Sequence, residues 1–128
     1  MLGYKLKRNQ IDFFKTFGFI LIEGLFLDKI EDIINSFEEV FELQTKKQKI
    51  DLFNIERKCI PQFIDSHKYL ANLIDDERII NIGECILGEN FNYMGSDGNY
   101  YNSNTNWHSD GWGSNILHIK LAFYLDHL

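Results

Sequence analysis

Two side chains carry the clearest chemical signal in the sequence, His108 and Asp110 in Trp107-His108-Ser109-Asp110-Gly111. On an extended backbone alternate side chains project to the same side, so an imidazole nitrogen and a carboxylate oxygen at this spacing can reach one metal ion together. They fill adjacent positions of an octahedron. A second histidine from elsewhere completes the two-His, one-carboxylate facial set that holds iron(II) and leaves positions open for a bidentate co-substrate and for O₂. A His-x-Asp pair is a short motif whose meaning rests on its surroundings, and without them an ordinary core or surface histidine is the plainer account.

The surroundings supply further candidates. Thr105 stands three residues before His108 and Trp112 two after Asp110. A threonine hydroxyl approaching the co-substrate and an indole touching substrate are the functional readings, against a turn hydroxyl and a packing ring as the bland ones. From Asn115 to Leu125 the pattern is that of a strand: Leu117, Ile119, Leu121, Phe123 and Leu125 are apolar, whereas His118, Lys120 and Tyr124 fall on a mixed face. Lys120 and Tyr124 offer a cation and a phenol to a carboxylate. His118 either lines the same pocket or is a hydrogen-bonded structural histidine. His67 reads as solvent-facing, and Tyr93, Tyr100 and Tyr101 as core.

The elements that must position these groups come in a definite order. Asn9 to Phe17 reads as a helix closed by Gly18, and Phe19-Ile20-Leu21-Ile22 as a strand. Asp28 is a candidate cap for the clearest helix, with Ile30, Ile33, Ile34, Phe37, Val40 and Phe41 at three- and four-residue steps; its Glu31, Asp32, Glu38 and Glu39 read as a solvated face. The stretch from Lys46 to Gln62 reads as an exposed loop ending at Pro61. Ser66 or Asp65 is a candidate cap for a helix through Tyr69 and Leu73, followed by a second helical stretch that stops at Gly88. Beyond Gly88 the texture turns to aromatics, Gly, Asn and Asp, as in short strands and turns. Helices first and strands afterwards predict an α+β arrangement in one domain spanning 1–128, with a helical front over 1–88 and strands over 89–128.

Composition narrows the function classes. Of 128 residues 45% are hydrophobic and 25% charged, which excludes disorder, and 15% are aromatic, which supplies large surfaces to bury. A formal charge of −6 with thirteen scattered Lys and Arg argues against a nucleic-acid partner. Cys59 and Cys85 have neither zinc-knuckle nor disulfide-framework spacing and read as buried thiols. No segment is long and uncharged enough to span a bilayer, and no apolar run with a cleavage site follows the start. The expectation is a cytoplasmic protein with a small-molecule substrate and no membrane partner; its oligomeric state is open.

A family resemblance runs over nearly the whole chain. The opening Gln10-Ile11-Asp12-Phe13-Phe14-Lys15, then Gly18-Phe19-Ile20-Leu21-Ile22-Glu23-Gly24-Leu25-Phe26, resembles the start of the phytanoyl-CoA dioxygenase family. Gly95 to Tyr101, Thr105 to Gly111 and Ile119 to Asp126 are similar to that family in order and spacing. The resemblance implies helices followed by a double-stranded β-helix (jelly-roll, cupin-like) core, iron(II) held by His108 and Asp110, and 2-oxoglutarate as co-substrate. It implies a hydroxylase, since halogenating relatives carry a small residue where Asp110 stands. The family pattern also has a second His well downstream and beyond it an Arg for the distal carboxylate of 2-oxoglutarate. Here only His118 and His127 follow the motif, both on or beside the next strand. The chain therefore reads as the front portion of such a domain, expected to be inactive alone. A partner-binding module of the same fold without metal is the alternative reading, and a small cupin-like metal protein or ligands pooled between two chains are lesser ones.

Overall fold

The computed structural model describes residues 3–48, 57–101, 106, 108 and 117–126. They form four helices and a two-stranded antiparallel sheet, an α+β arrangement: α1 (Arg8–Phe17), α2 (Ile30–Gln48), β1 (Arg57–Pro61), α3 (Lys68–Ala71), α4 (Glu77–Leu87) and β2 (Asp97–Tyr101). Among the described residues no helix is long and apolar enough to cross a membrane. The chain divides into two compact units, one made of 1–30, 73–93 and 117–128, the other of 31–72 and 94–116.

In the first unit, α1 starts where the Gln10 side chain turns back to accept from the Lys7 N–H at 2.8 Å, satisfying one of the donors that a helix start leaves without an intrahelical acceptor. It ends at Gly18, whose φ of 78° is the left-handed conformation that glycine adopts without a Cβ clash, and the Gly18 N–H closes the last turn on the Phe14 carbonyl at 2.8 Å. Helix α4 opens on Asp76, which accepts from the Arg78 N–H at 3.0 Å, and closes at Gly88. Leu6, Phe26, Leu73 and Ile82 are the buried apolar residues of this unit. Each contributes about 2 kcal/mol by leaving water.

The second unit is built on α2. Ile33, Val40 and Phe41 of α2 are buried, as are Ile60 of β1, Phe63 and Leu70. Rings are the main filling: Phe37 and Phe41 pack on Phe63 at 4.9 and 5.4 Å and on Tyr100 at 5.3 and 4.6 Å. Such tilted and edge-on pairs add about 1 kcal/mol each to the area they bury. In the sheet Arg57 pairs with Tyr101, Cys59 with Asn99 and Pro61 with Asp97. Glycine at 98 is required by this packing, because a Cβ there would lie 2.3 Å from the Phe63 ring.

Several sequence expectations are corrected. Phe19 to Ile22 carries no strand, and 117–126 carries no ladder; Leu117 is 66% exposed, although Phe123 rests on Phe26 at 5.0 Å between ring centres. A strand exists only with a hydrogen-bonded neighbour, and among the described residues neither segment has one. The expected loop from Lys46 to Gln62 contains the end of α2 and all of β1, which also puts a strand inside the expected helical front. Asp28 sits in a 3-10 turn (Leu27–Lys29) before α2, and the capping role expected of Ser66 or Asp65 passes to His67 without a side-chain cap. Cys59 is exposed and Cys85 half-buried, because Cys59 falls on the outer side of β1. Of the three tyrosines expected in the core, Tyr100 is half-buried with its ring on Phe37 and Phe41, whereas Tyr93 and Tyr101 are exposed. The acidic face of α2 is partly engaged: Asp32 accepts from Tyr69 at 3.3 Å, Glu38 from Tyr100, and Glu39 meets His67.

Candidate functional site

His108 is an exposed side chain of the second unit whose ring is tied to the main chain. Its Nδ1 lies 2.8 Å from the Asn106 carbonyl oxygen. A carbonyl oxygen only accepts, so Nδ1 carries the hydrogen, and in the neutral ring the lone pair is then on Nε2. That is the arrangement found when a histidine binds a metal through Nε2 while its other nitrogen donates to a carbonyl or carboxylate.

Asp110, Thr105, Trp112 and His127 lie outside the described residues. Lys120, Tyr124 and His118 are exposed residues of the first unit. Among the described residues no three His, Cys, Asp or Glu side chains come together as a metal centre. His67, expected to face solvent, is half-buried: its Nε2 stands 3.3 Å from a Glu39 carboxylate oxygen, and its Nδ1 is buried with no hydrogen-bond partner among the described residues. The short turn 64–66 that leads into α3 tucks this ring against α2.

One group with the makings of a ligand contact escaped the sequence reading. Lys58 of β1 is only 7% exposed. Its ammonium donates to the Thr45 hydroxyl at 2.7 Å and stands 5.7 Å from the centre of the Phe41 ring, and among the described residues no carboxylate pairs with it. A buried cation ordinarily has an anion beside it, since desolvating an ammonium costs several kcal/mol. A hydroxyl and a ring face offset part of that cost, and a bound carboxylate would supply the rest. No sequence signal marks Lys58, because a lysine next to Arg57 in a polar stretch reads as surface.

The strongest electrostatic cluster lies in the first unit. Arg78 grips Asp76 with two parallel bonds, Nε to Oδ1 and Nη2 to Oδ2, both 2.8 Å. Its Nη1 reaches Asp28 at 2.6 Å and the Leu25 carbonyl at 2.7 Å, and its guanidinium lies 4.0 Å from the centre of the Phe26 ring. With the Arg78 main-chain N–H also donating to Asp76, Lys29 adds a fourth bond to that carboxylate at 2.7 Å. These hydrogen bonds, those from Arg78 first, hold the Asp76 carboxyl well below the ordinary carboxylate range, and the bond from Asp76 raises the Arg78 guanidinium further above its own. Asp28 is lowered by the same arginine. Every member is paired, so the cluster is a clamp joining the turn before α2 to the start of α4.

Comparison with family models, with curated proteins and with solved structures finds no match to this chain.

Proposed function

We propose that the chain carries part of an iron(II)- and 2-oxoglutarate-dependent dioxygenase of the phytanoyl-CoA dioxygenase type, a hydroxylase of a small-molecule substrate built on a double-stranded β-helix. His108 and Asp110 supply two of the three protein ligands to iron. The observation that carries the reading is the ring of His108. Its bond to the Asn106 carbonyl puts the lone pair on Nε2, the state a metal-ligating imidazole requires. The donor set, one imidazole and one carboxylate two residues apart, suits iron(II).

When bound, iron(II) supplies the activation of O₂ that couples oxidation of 2-oxoglutarate to succinate with hydroxylation of the substrate. The chain's own residues hold and orient. Lys120, Tyr124 and Thr105 are the candidates that the sequence offers for a carboxylate of the co-substrate, and Lys58, a buried ammonium with a hydroxyl as its polar partner, is an alternative to them. Trp112 is the candidate for substrate.

The test is anaerobic titration of the chain with iron(II) and 2-oxoglutarate together, following the visible charge-transfer absorption that arises when both bind at one centre. Millimolar iron is used because two protein ligands hold the metal weakly. The band is expected in the unchanged chain and absent in His108→Ala. No band in either, with no metal-dependent binding of 2-oxoglutarate, rejects the reading and leaves the partner-binding module without metal.

A further inference from the structure

We propose that the exposed apolar face formed by the end of α1 and the segment 19–22 is where the chain pairs with a second copy of itself, Phe17 of each copy entering the groove beside Phe13, Phe19 and Leu21 of the other. The inference does not rest on the iron reading above.

The face begins in the sequence. Phe13 and Phe17 stand four residues apart and so share one side of α1, a helix that buries none of its residues. Gly18 then turns the chain, and Phe19 comes back edge-on against Phe13 with 5.6 Å between ring centres, while Phe13 and Phe17 lie 4.6 Å apart. These rings touch one another and still face water: Phe13, Phe17, Phe19 and Leu21 are between 41% and 69% exposed. Side chains already held by their neighbours lose little freedom when a partner covers them, which lowers the cost of association.

A second copy fits this face in shape, area and charge. Asn9, Gln10, Phe13, Phe19, Ile20 and Leu21 line an open groove of about 320 Å³, where roughly 150 Å³ is enough for a benzene-sized group. Phe17 stands against Phe13 outside that groove, so one chain carries both the knob and the hole that a two-fold contact needs. With about 200 Å² for a large side chain, the exposed shares of the four apolar residues amount to about 450 Å² per copy. Two copies closing with their rims remove about 1,000 Å² in all, the lower bound of a specific interface and the range of a weak dimer. From position 8 to position 23, Arg8 and Lys15 balance Asp12 and Glu23, a neutral stretch in a chain of net charge −6. Like-charged chains meet there with least repulsion, whereas an anionic lipid surface calls for a surplus of Lys and Arg.

The experiment is sedimentation equilibrium of the full chain from about 1 to about 200 µM. A reversible dimer with a dissociation constant of about 10 µM is expected, tightened by added salt because screening weakens the repulsion between two chains of charge −6. Phe17→Glu and Leu21→Lys, both at exposed positions, should keep the circular dichroism spectrum of the unchanged chain and weaken the dimer at least tenfold. A charged variant that loses the spectrum is replaced by Phe17→Ser. Mixed in equal amounts, Phe17→Glu and Leu21→Lys should dimerise with each other. In one contact the introduced carboxylate meets the introduced ammonium, and in the other an unchanged Phe17 enters an unchanged groove. A chain that stays monomeric throughout the range overturns the inference, as does a dimer that neither variant weakens or a mixture that remains monomeric. Binding of a monomer to phosphatidylserine vesicles, lost in Phe17→Glu, assigns the face to lipid and overturns it as well.

Discussion

Replacing Lys58 with methionine separates a cation kept for a ligand from one kept for the fold. The change removes the ammonium's bond to the Thr45 hydroxyl, 2.7 Å long, which as a charge-assisted bond contributes about 2 kcal/mol. It also removes the contact with the Phe41 ring, worth about 0.5 kcal/mol at 5.7 Å, close to the limit of such attraction. Against this stands the desolvation of an ammonium on a residue that is 7% exposed, several kcal/mol in an ordinary protein interior. Methionine keeps the aliphatic stem in place and adapts to irregular space. Thr45 is left without an unmet donor, since its hydroxyl already donates to the Phe41 carbonyl at 2.6 Å. The balance favours the variant by about 1 kcal/mol, or a rise in melting temperature of about 4 °C for a chain of this size. The assays are thermal unfolding by circular dichroism and equilibrium dialysis with radiolabelled 2-oxoglutarate and iron(II). If the proposed function holds and Lys58 meets the carboxylate, affinity for 2-oxoglutarate should fall by about tenfold or more, the loss of one charge-assisted contact. A variant less stable by 1 kcal/mol or more would refute the reasoning, because the ammonium would then be adequately satisfied by the protein alone.

Three further outcomes are expected. Arg78→Met leaves Asp76, 7% exposed, with Lys29 as its remaining cation, and should cost about 3 kcal/mol in urea unfolding; a loss below 1 kcal/mol would mean that the clamp is ornamental. Because the folded Asp76 carboxyl is depressed from its ordinary value of 3.8, its contribution is fully present above that value and is lost as pH falls below it. Stability measured from pH 6 downward should therefore begin to fall near pH 4 and keep falling below it, and Asp76→Asn should flatten that part of the curve. Gly98→Ala places a methyl against the Phe63 ring, where its Cβ would sit 2.3 Å from the nearest ring carbon, and should cost about 2 kcal/mol by chemical denaturation, with the loss reduced when Phe63→Leu is added.

What the sequence made legible follows from how local the cause is. The first helix and its stop at Gly18, the long apolar ladder of α2 and the end of α4 at Gly88 are written within a few residues of themselves, and the structure has them. Strands depend on partners, and there reading failed in both directions. Leu117 to Leu125 alternates as a strand should yet lacks a ladder. Arg57 to Pro61 forms one, but its inward positions are Lys58 and Ile60 and its outward one is Cys59, the reverse of what polarity alone suggests. The same inversion hid Lys58 as a candidate contact. His108 was legible in the sequence as a candidate ligand and no more. Its tautomer was not, because that depends on a main-chain carbonyl whose direction no residue type encodes.

The way the two units share the chain has a practical consequence. One is assembled from three stretches of sequence and the other from two, so they alternate along the backbone. Strand β1 finds β2 only after α3 and α4 have been threaded between them. No single cut releases either unit with all its parts. A protease working between 62 and 96 would separate segments that belong to one unit, and a deletion from the N-terminal end through α1 would take a helix from the first unit while leaving its later segments on the chain. Efforts to minimise the protein therefore gain nothing by trimming and are better spent on point substitutions within the intact chain.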